Sequence, residues 1–145
     1  MPTSNPPDNT PASQVARLLA HFGAADACWF SSTRPDGRPH LAPIWHVVHA
    51  DRIYVVTRQS SVRAANIRAN AAVSLALADA SNALIVEGVA RPAPEMRDEL
   101  RPLFRAKYDW DIATDAEYDD VIQVTPRKVM AWGRHGEGRW IVETP

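Results

Sequence analysis

The shortness of the links between strand-like segments limits this fold more than any other feature of the sequence. "DACWFSST" (26–33) is rich in β-formers and runs into "RPDG", where Pro35 presets φ and Gly37 supplies the positive φ of a tight turn. "HLAPIWHVVH" (40–49) reads as a second strand, and "ADR" turns it into a third, "IYVVT" (53–57). Only then does a helix-sized stretch appear, from about Ser60 to Ala69, before "AVSLALA" (72–78) and "NALIVEGVARP" (82–92). A parallel pair needs a crossover of about a dozen residues or more. The spacing therefore predicts a mainly β (α+β) chain, with an antiparallel sheet of about six strands curling into a small barrel and short helices at its ends.

The sixth strand is "VIQVTPRKVMAW" (121–132), bent at Pro126, and "GRWIVE" (138–143) adds a short one. Pro43, in the middle of the second strand, calls for an edge or a bulge, where a missing N–H does no harm. In "AVSLALA" the large residues Val73, Leu75 and Leu77 alternate with Ala72, Ser74 and Ala76, leaving one small-residue face that another element can approach closely. "ASQVARLLAHFG" places Val15, Leu18, Leu19 and Phe22 on one helix face, with Gly23 as its stop. "PEMRDELRPLFRAKY" does the same with Met96, Leu100, Leu103 and Phe104, and Pro102 predicts a kink or two short helices.

The chain has 145 residues, enough for one domain, here read as residues 11–145 after a Pro- and Asn-rich disordered lead-in over 1–10. That lead-in has no basic stretch followed by an apolar one, so it does not read as a secretory signal. A net charge of −1 gives no footprint for nucleic acid or an anionic membrane, and no apolar run approaches the ~18 residues of a membrane span. The lone Cys28 excludes an internal disulfide and fits a cytoplasmic setting.

The strand-to-helix corner "TRQSSVRAAN" (57–66) carries the chemistry. Ser60 or Ser61 is a good N-cap. The free N–H groups behind it and the helix dipole favour an anion. At ~100° per residue Arg63, Asn66 and Asn70 form one polar stripe, with Val62, Ala65 and Ala69 on one apolar flank and Ala64 and Ile67 on the other. Arg68 points elsewhere. Hydroxyl, N–H and guanidinium together suit a phosphate, although an ordinary capped helix with a solvated arginine satisfies the same pattern.

The ordered series "STRPDGRPHLAPIWHVV…RIYVVTRQSSVRAANIRANAAVSLAL…LIVEGVA", resumed at "VIQVTPRKVMAWG", resembles the pyridoxamine 5′-phosphate oxidase-like split-barrel superfamily, in particular its small flavin- or deazaflavin-dependent oxidoreductases. The resemblance implies an antiparallel split β-barrel and a homodimer with its cofactor at the subunit interface. It implies that Thr57, Ser61 and Arg63 stand where the family holds a cofactor phosphate, with Ser60 and Asn66 beside them. It also implies that the backbone of Pro43, Ile44 and Trp45 lies along the cofactor's tricyclic ring. Val62 stands where the family often has Arg or Ala, so one possible charge is missing.

Elsewhere the residues read as structure. Along one continuous strand His40 and His46 would share a face and His49 would oppose them, with no partner at zinc-like spacing, so no metal site is expected. Cys28 reads as a small buried hydrophobe. "DWDIATDAEYDD" (109–120) lacks the glycine and closing glutamate of a calcium loop and reads as a solvated acidic loop. No acid–base constellation stands out, so the catalytic residues are unassigned. Three functions stay open: hydride transfer between coenzyme F420 and a small organic substrate, the same scaffold using FMN, or a carrier or sensor that binds a flavin without turnover.

Overall fold

The computed structural model describes residues 9–143. Its elements are α1 (Pro11–Ala24), β1 (Cys28–Thr33), β2 (Pro39–Ile44), β3 (Val47–His49), β4 (Arg52–Thr57), α2 (Val62–Ala69), β5 (Ala72–Ala76), β6 (Ala83–Pro92), α3 (Arg97–Tyr108), β7 (Asp120–Trp132) and β8 (Gly138–Ile141). Every strand pairing is antiparallel, in the order β2-β1-β5-β6-β7-β4-β3, with β8 added to β7. The result is an open half-barrel flanked by three helices, a split barrel. The disordered lead-in expected over 1–10 falls almost wholly outside the described residues. At its border Thr10 caps α1, its side chain accepting from Ser13 N.

The strand count is eight rather than about six. "GRWIVE" supplies β8, and the expected second strand divides in two. Its first half pairs with β1 at one edge of the sheet, and its second half with β4 at the other. Trp45 and His46 carry the chain across the mouth of the half-barrel. The break removes the alternation that would have aligned His40 with His46. His46 is fully buried, and its Nε2–H donates to Phe22 O at 2.7 Å. Pro43 does lie on an edge strand, β2, where no ladder needs its N–H.

Two apolar clusters form the core. The larger packs Val15, Leu18, Leu19 and Phe22 of α1 against Phe30, Ile53, Val55, Leu75, Leu84, Val86, Ile122 and Val124 inside the half-barrel. The smaller gathers Leu100 and Phe104 of α3 with Tyr54, Val56, Ile112 and Val121. Gly23 is not the stop of α1, which runs on to Ala24. A Cβ at Gly23 would lie 3.0 Å from the Val48 Cβ, so glycine is there to let α1 approach β3. Pro102 does not divide α3, which runs unbroken from Arg97 to Tyr108. Pro102 faces solvent, and a separate 3₁₀ turn (Pro94–Met96) precedes the helix. The bend in β7 is a bulge at Pro126–Arg127: Gly88 pairs with Pro126 while Glu87 pairs with Lys128. Among the described residues no helix is long and apolar enough to cross a membrane.

Candidate functional site

The corner forms as its sequence requires. Ser61, with extended backbone, is the N-cap of α2, and its Oγ accepts from Ala64 N at 3.0 Å. Thr57, the last residue of β4, donates its hydroxyl to Ser61 Oγ at 3.2 Å. One of the two hydroxyls thus keeps a proton free for a ligand. The first N–H groups of a helix have no intrahelical partner. With Ala64 satisfied by the cap, those of Val62 and Arg63 lie at the open end of α2.

The sides of α2 differ from the pattern read off the sequence. Ala64 and Ile67 are buried as expected, but Val62, Ala65 and Ala69 face solvent, Val62 with 48% of its surface exposed. The helix has only eight residues and packs one face on β1 and β6, so Arg63 and Asn66 of the polar stripe turn inward instead of running between two packed flanks, while Asn70, the C-cap, stays exposed. Arg63 is 7% exposed. Its Nη2 donates to Ala42 O at 3.2 Å and more weakly to Pro43 O at 3.5 Å, and the guanidinium sits 5.1 Å from the centre of the Phe30 ring. Burial lowers its pKa, yet an arginine has enough reserve to stay charged. Arg63 Nε is buried without a partner.

A cleft of about 540 Å³ opens at this corner. It brings together six residues singled out in the sequence: Pro43, Ile44 and Trp45 from the crossing segment, and Thr57, Ser61 and Arg63 from the corner. The other two lie elsewhere. Ser60 sits on the exposed turn before the cap, and Asn66 is buried behind the helix, where its amide donates to Ser32 Oγ at 3.1 Å. Trp45 is half exposed and stacks on Tyr108, with centroids 4.4 Å apart and planes within 2°. The segment beneath it is pinned from α3. Lys107 Nζ donates to the carbonyls of Gly23 and His46, and His46 N donates to the Tyr108 hydroxyl at 3.0 Å.

The opposite wall comes from the acidic loop, which is not merely solvated. Trp110, Asp115 and Tyr118 line the cleft together with Val56 and Arg58. Trp110 sets its edge or face against Trp45, Phe104 and Tyr118, and its Nε1–H donates to Asp115 Oδ2 at 3.1 Å. Arg58 pairs with Glu117 at 2.9 Å, and Gln59 N donates to Asp119 Oδ1 at 2.8 Å. The sequence signal for this wall is the pair of aromatics, Trp110 and Tyr118, set among the spaced acids.

The remaining ionisable groups inside the molecule are structural. Burial pushes the Cys28 thiol up to about 12 and the His46 imidazole down to about 4, leaving both neutral at pH 7. Among the described residues no three His, Cys, Asp or Glu side chains gather as a metal site would require.

An antiparallel half-barrel flanked by three helices, with an aromatic-walled cleft at its strand-to-helix corner, defines a split-barrel protein. The chain belongs to the pyridoxamine 5′-phosphate oxidase family, whose pattern matches residues 14–133. The crystal structure of protein Rv2991 from Mycobacterium tuberculosis superposes with a TM-score of 0.69 at 22% identity, over 83% of this chain and 85% of that one. An F420 reductase superposes at 0.61 and 22% identity, over 83% of this chain and 95% of that one. A heme binding protein from Mycobacterium smegmatis gives 0.66 and 15%, over 96% of this chain and 60% of that one. At these identities the likeness establishes the fold. No curated protein matches the chain.

Proposed function

We propose that the protein is an oxidoreductase that transfers a hydride between coenzyme F420 and a small organic substrate. The observation that carries this reading is the convergence of Thr57, Ser61 and Arg63 with the flat Pro43–Trp45 segment on one cleft. The residues fit a phosphorylated tricyclic ring. Arg63 brings its charge to the cleft lining, the Thr57–Ser61 pair has one hydroxyl proton to give, and two helix N–H groups are open. The ring itself would supply the chemistry, by giving or taking a hydride at one carbon.

The chain's own work is then orientation and exclusion of water. Thr57, Ser61 and Arg63 hold the phosphate end. Pro43, Ile44 and Trp45 offer backbone and an indole to the ring. Lys107 and Tyr108 fix the backbone of His46, the residue that follows Trp45, and so hold the segment on which the ring would be oriented toward substrate. Trp110 and Tyr118 exclude water from the far wall.

FMN would find the same corner, and it remains the alternative cofactor. A flavin carrier without turnover is the non-catalytic alternative. The heme that one structural relative is named for has fewer possible ligands here, since the cleft lining contains no His, Cys or Met. A second copy of this chain is the natural cover for the outer sheet face, where Trp29 and Leu41 stand exposed beside the small residues Ser74 and Ala76. No residue suggests nucleic acid as a partner. Titration of the protein with F420 and with FMN tests the reading, followed by a search for turnover with the reduced cofactor. Tighter F420 binding supports it, FMN binding alone moves it to the alternative cofactor, and binding of neither removes it.

A further inference from the structure

We propose that Arg58 is a second phosphate-binding cation of the corner, and that Glu117 holds it in reserve until a phosphorylated ligand displaces that carboxylate. This rests on the ligand reading above.

Charge supply at the corner motivates it. A phosphate monoester such as that of FMN carries about −1.5 to −2 at pH 7, and the singly charged phosphodiester of F420 leads into a carboxylate tail, so either ligand brings more than one negative charge to the corner. At the end of α2 stands one cation, Arg63, with Val62 beside it. Part of its guanidinium is already committed, Nη2 to the carbonyls of Ala42 and Pro43. The rest of the group lines the cleft from a deeply buried position, with Nε unpaired and closed off from solvent. One buried guanidinium does not neutralise such a ligand.

Arg58 is the other cation lining the cleft. It directly follows Thr57 at the end of β4, so the same strand end delivers both. Its guanidinium carbon lies 5.2 Å from the Tyr118 ring centre, and Nη2 is 2.9 Å from Glu117 Oε2. Side-chain exposures of 52% for Arg58 and 70% for Glu117 make this a solvated pair. Such pairs are worth little. A ligand anion already anchored by Arg63, Ser61 and two helix N–H groups is a stronger and effectively more concentrated partner than one exposed carboxylate. The exchange needs only a rotation of the Glu117 side chain. The loop itself stays tied through Asp119 to Gln59 N and through Asp115 to Trp110.

The test uses the full chain and ligands paired with and without their anionic end: FMN against riboflavin, which differ only in the phosphate, and F420 against its deazaflavin alcohol, which lacks the phosphate and the carboxylate tail together. Arg58→Ala is expected to weaken the phosphorylated member about 5- to 20-fold and its partner less than about 2-fold. Arg58→Lys should fall between. Glu117→Gln should tighten the phosphorylated ligand by about 1.5- to 5-fold, the range of a released surface pair. In the double variant that gain should vanish, because Glu117 acts only through Arg58. Equal losses for both members of a pair in Arg58→Ala would mean that Arg58 merely props Tyr118, and would overturn the proposal. If Arg63→Ala weakens phosphorylated ligands while Arg58→Ala and Glu117→Gln do not, the corner reading stands and this inference falls. A wild-type chain that binds neither FMN nor F420 overturns both.

Discussion

Replacing Arg63 by alanine should do two separable things. The first is loss of affinity for the phosphorylated cofactor. A hydrogen bond to a charged group contributes roughly 1.5–3 kcal/mol, which corresponds to a dissociation constant about 10- to 150-fold higher. The second is loss of stability, because the guanidinium also ties α2 to the edge strand β2 through Ala42 O and lies over Phe30. Those carbonyls lose a buried donor, at a cost of about 1–3 kcal/mol. Titration at 25 °C by ring fluorescence reads the first effect and urea unfolding the second. Arg63→Lys should recover part of the affinity, keeping the charge without the planar fork. Added salt should weaken wild-type binding through the Coulombic share. Arg68 is an unsuitable control, since it pairs at 2.9 Å with Asp120, whose side chain is only 5% exposed. Arg139, exposed on β8, is the better one, and Arg139→Ala should leave binding within a factor of about 2, as a diffuse surface charge does. Folded Arg63→Ala that binds FMN and F420 as tightly as the wild type, or equal losses for Arg63 and Arg139, would refute the assignment.

Gly88→Ala should destabilise by about 1–3 kcal/mol in urea unfolding, because the added Cβ would clash with the Thr125 backbone at the β6–β7 bulge. His46 titrates near 4 in the fold, against 6.5 for an ordinary histidine, because burial disfavours its charge. The unfolded chain therefore binds the extra proton between those values, and stability should fall as pH drops from about 6.5 to 4, by up to about 3 kcal/mol. His46→Gln should flatten that slope in a series of thermal melts. Sedimentation at micromolar concentration should find a homodimer, and Trp29→Glu, a buried charge if the outer sheet face is covered, should shift it to monomer.

The half-barrel was legible because its evidence is local. Turn residues such as Pro35–Gly37 and three-residue links leave little choice but antiparallel neighbours. The division of "HLAPIWHVVH" was not legible, since nothing in those ten residues tells which edge each half will join. That depends on β1 and β4 lying at opposite sides of the sheet, a long-range fact. The flanks of α2 were misjudged for a related reason. Helical periodicity groups Val62 with Ala65 and Ala69 but does not say which face turns inward. Here the polar stripe does, because Arg63 finds carbonyls of an edge strand and Asn66 finds Ser32.

The same distinction separates the two halves of the candidate site. Thr57, Ser61 and Arg63 lie within seven consecutive residues, so capping and helix geometry alone bring them together. The wall that faces them comes from a loop some fifty residues later. It reaches the corner through two exposed acids, Glu117 to Arg58 and Asp119 to the Gln59 N–H. Each contact alone is weak, and a sequence reader rightly gives such acids to solvent. They act together because Ile112 is buried in the smaller core cluster and Trp110 and Tyr118 pack against it, which anchors the loop independently of the ion pair. The apolar anchors set the loop's position, and the acids then meet whatever cations the corner presents. A loop fixed in that way can exchange one carboxylate for a ligand phosphate without losing its place, which is the property a cleft needs if it is to take up a charged cofactor and still keep its wall.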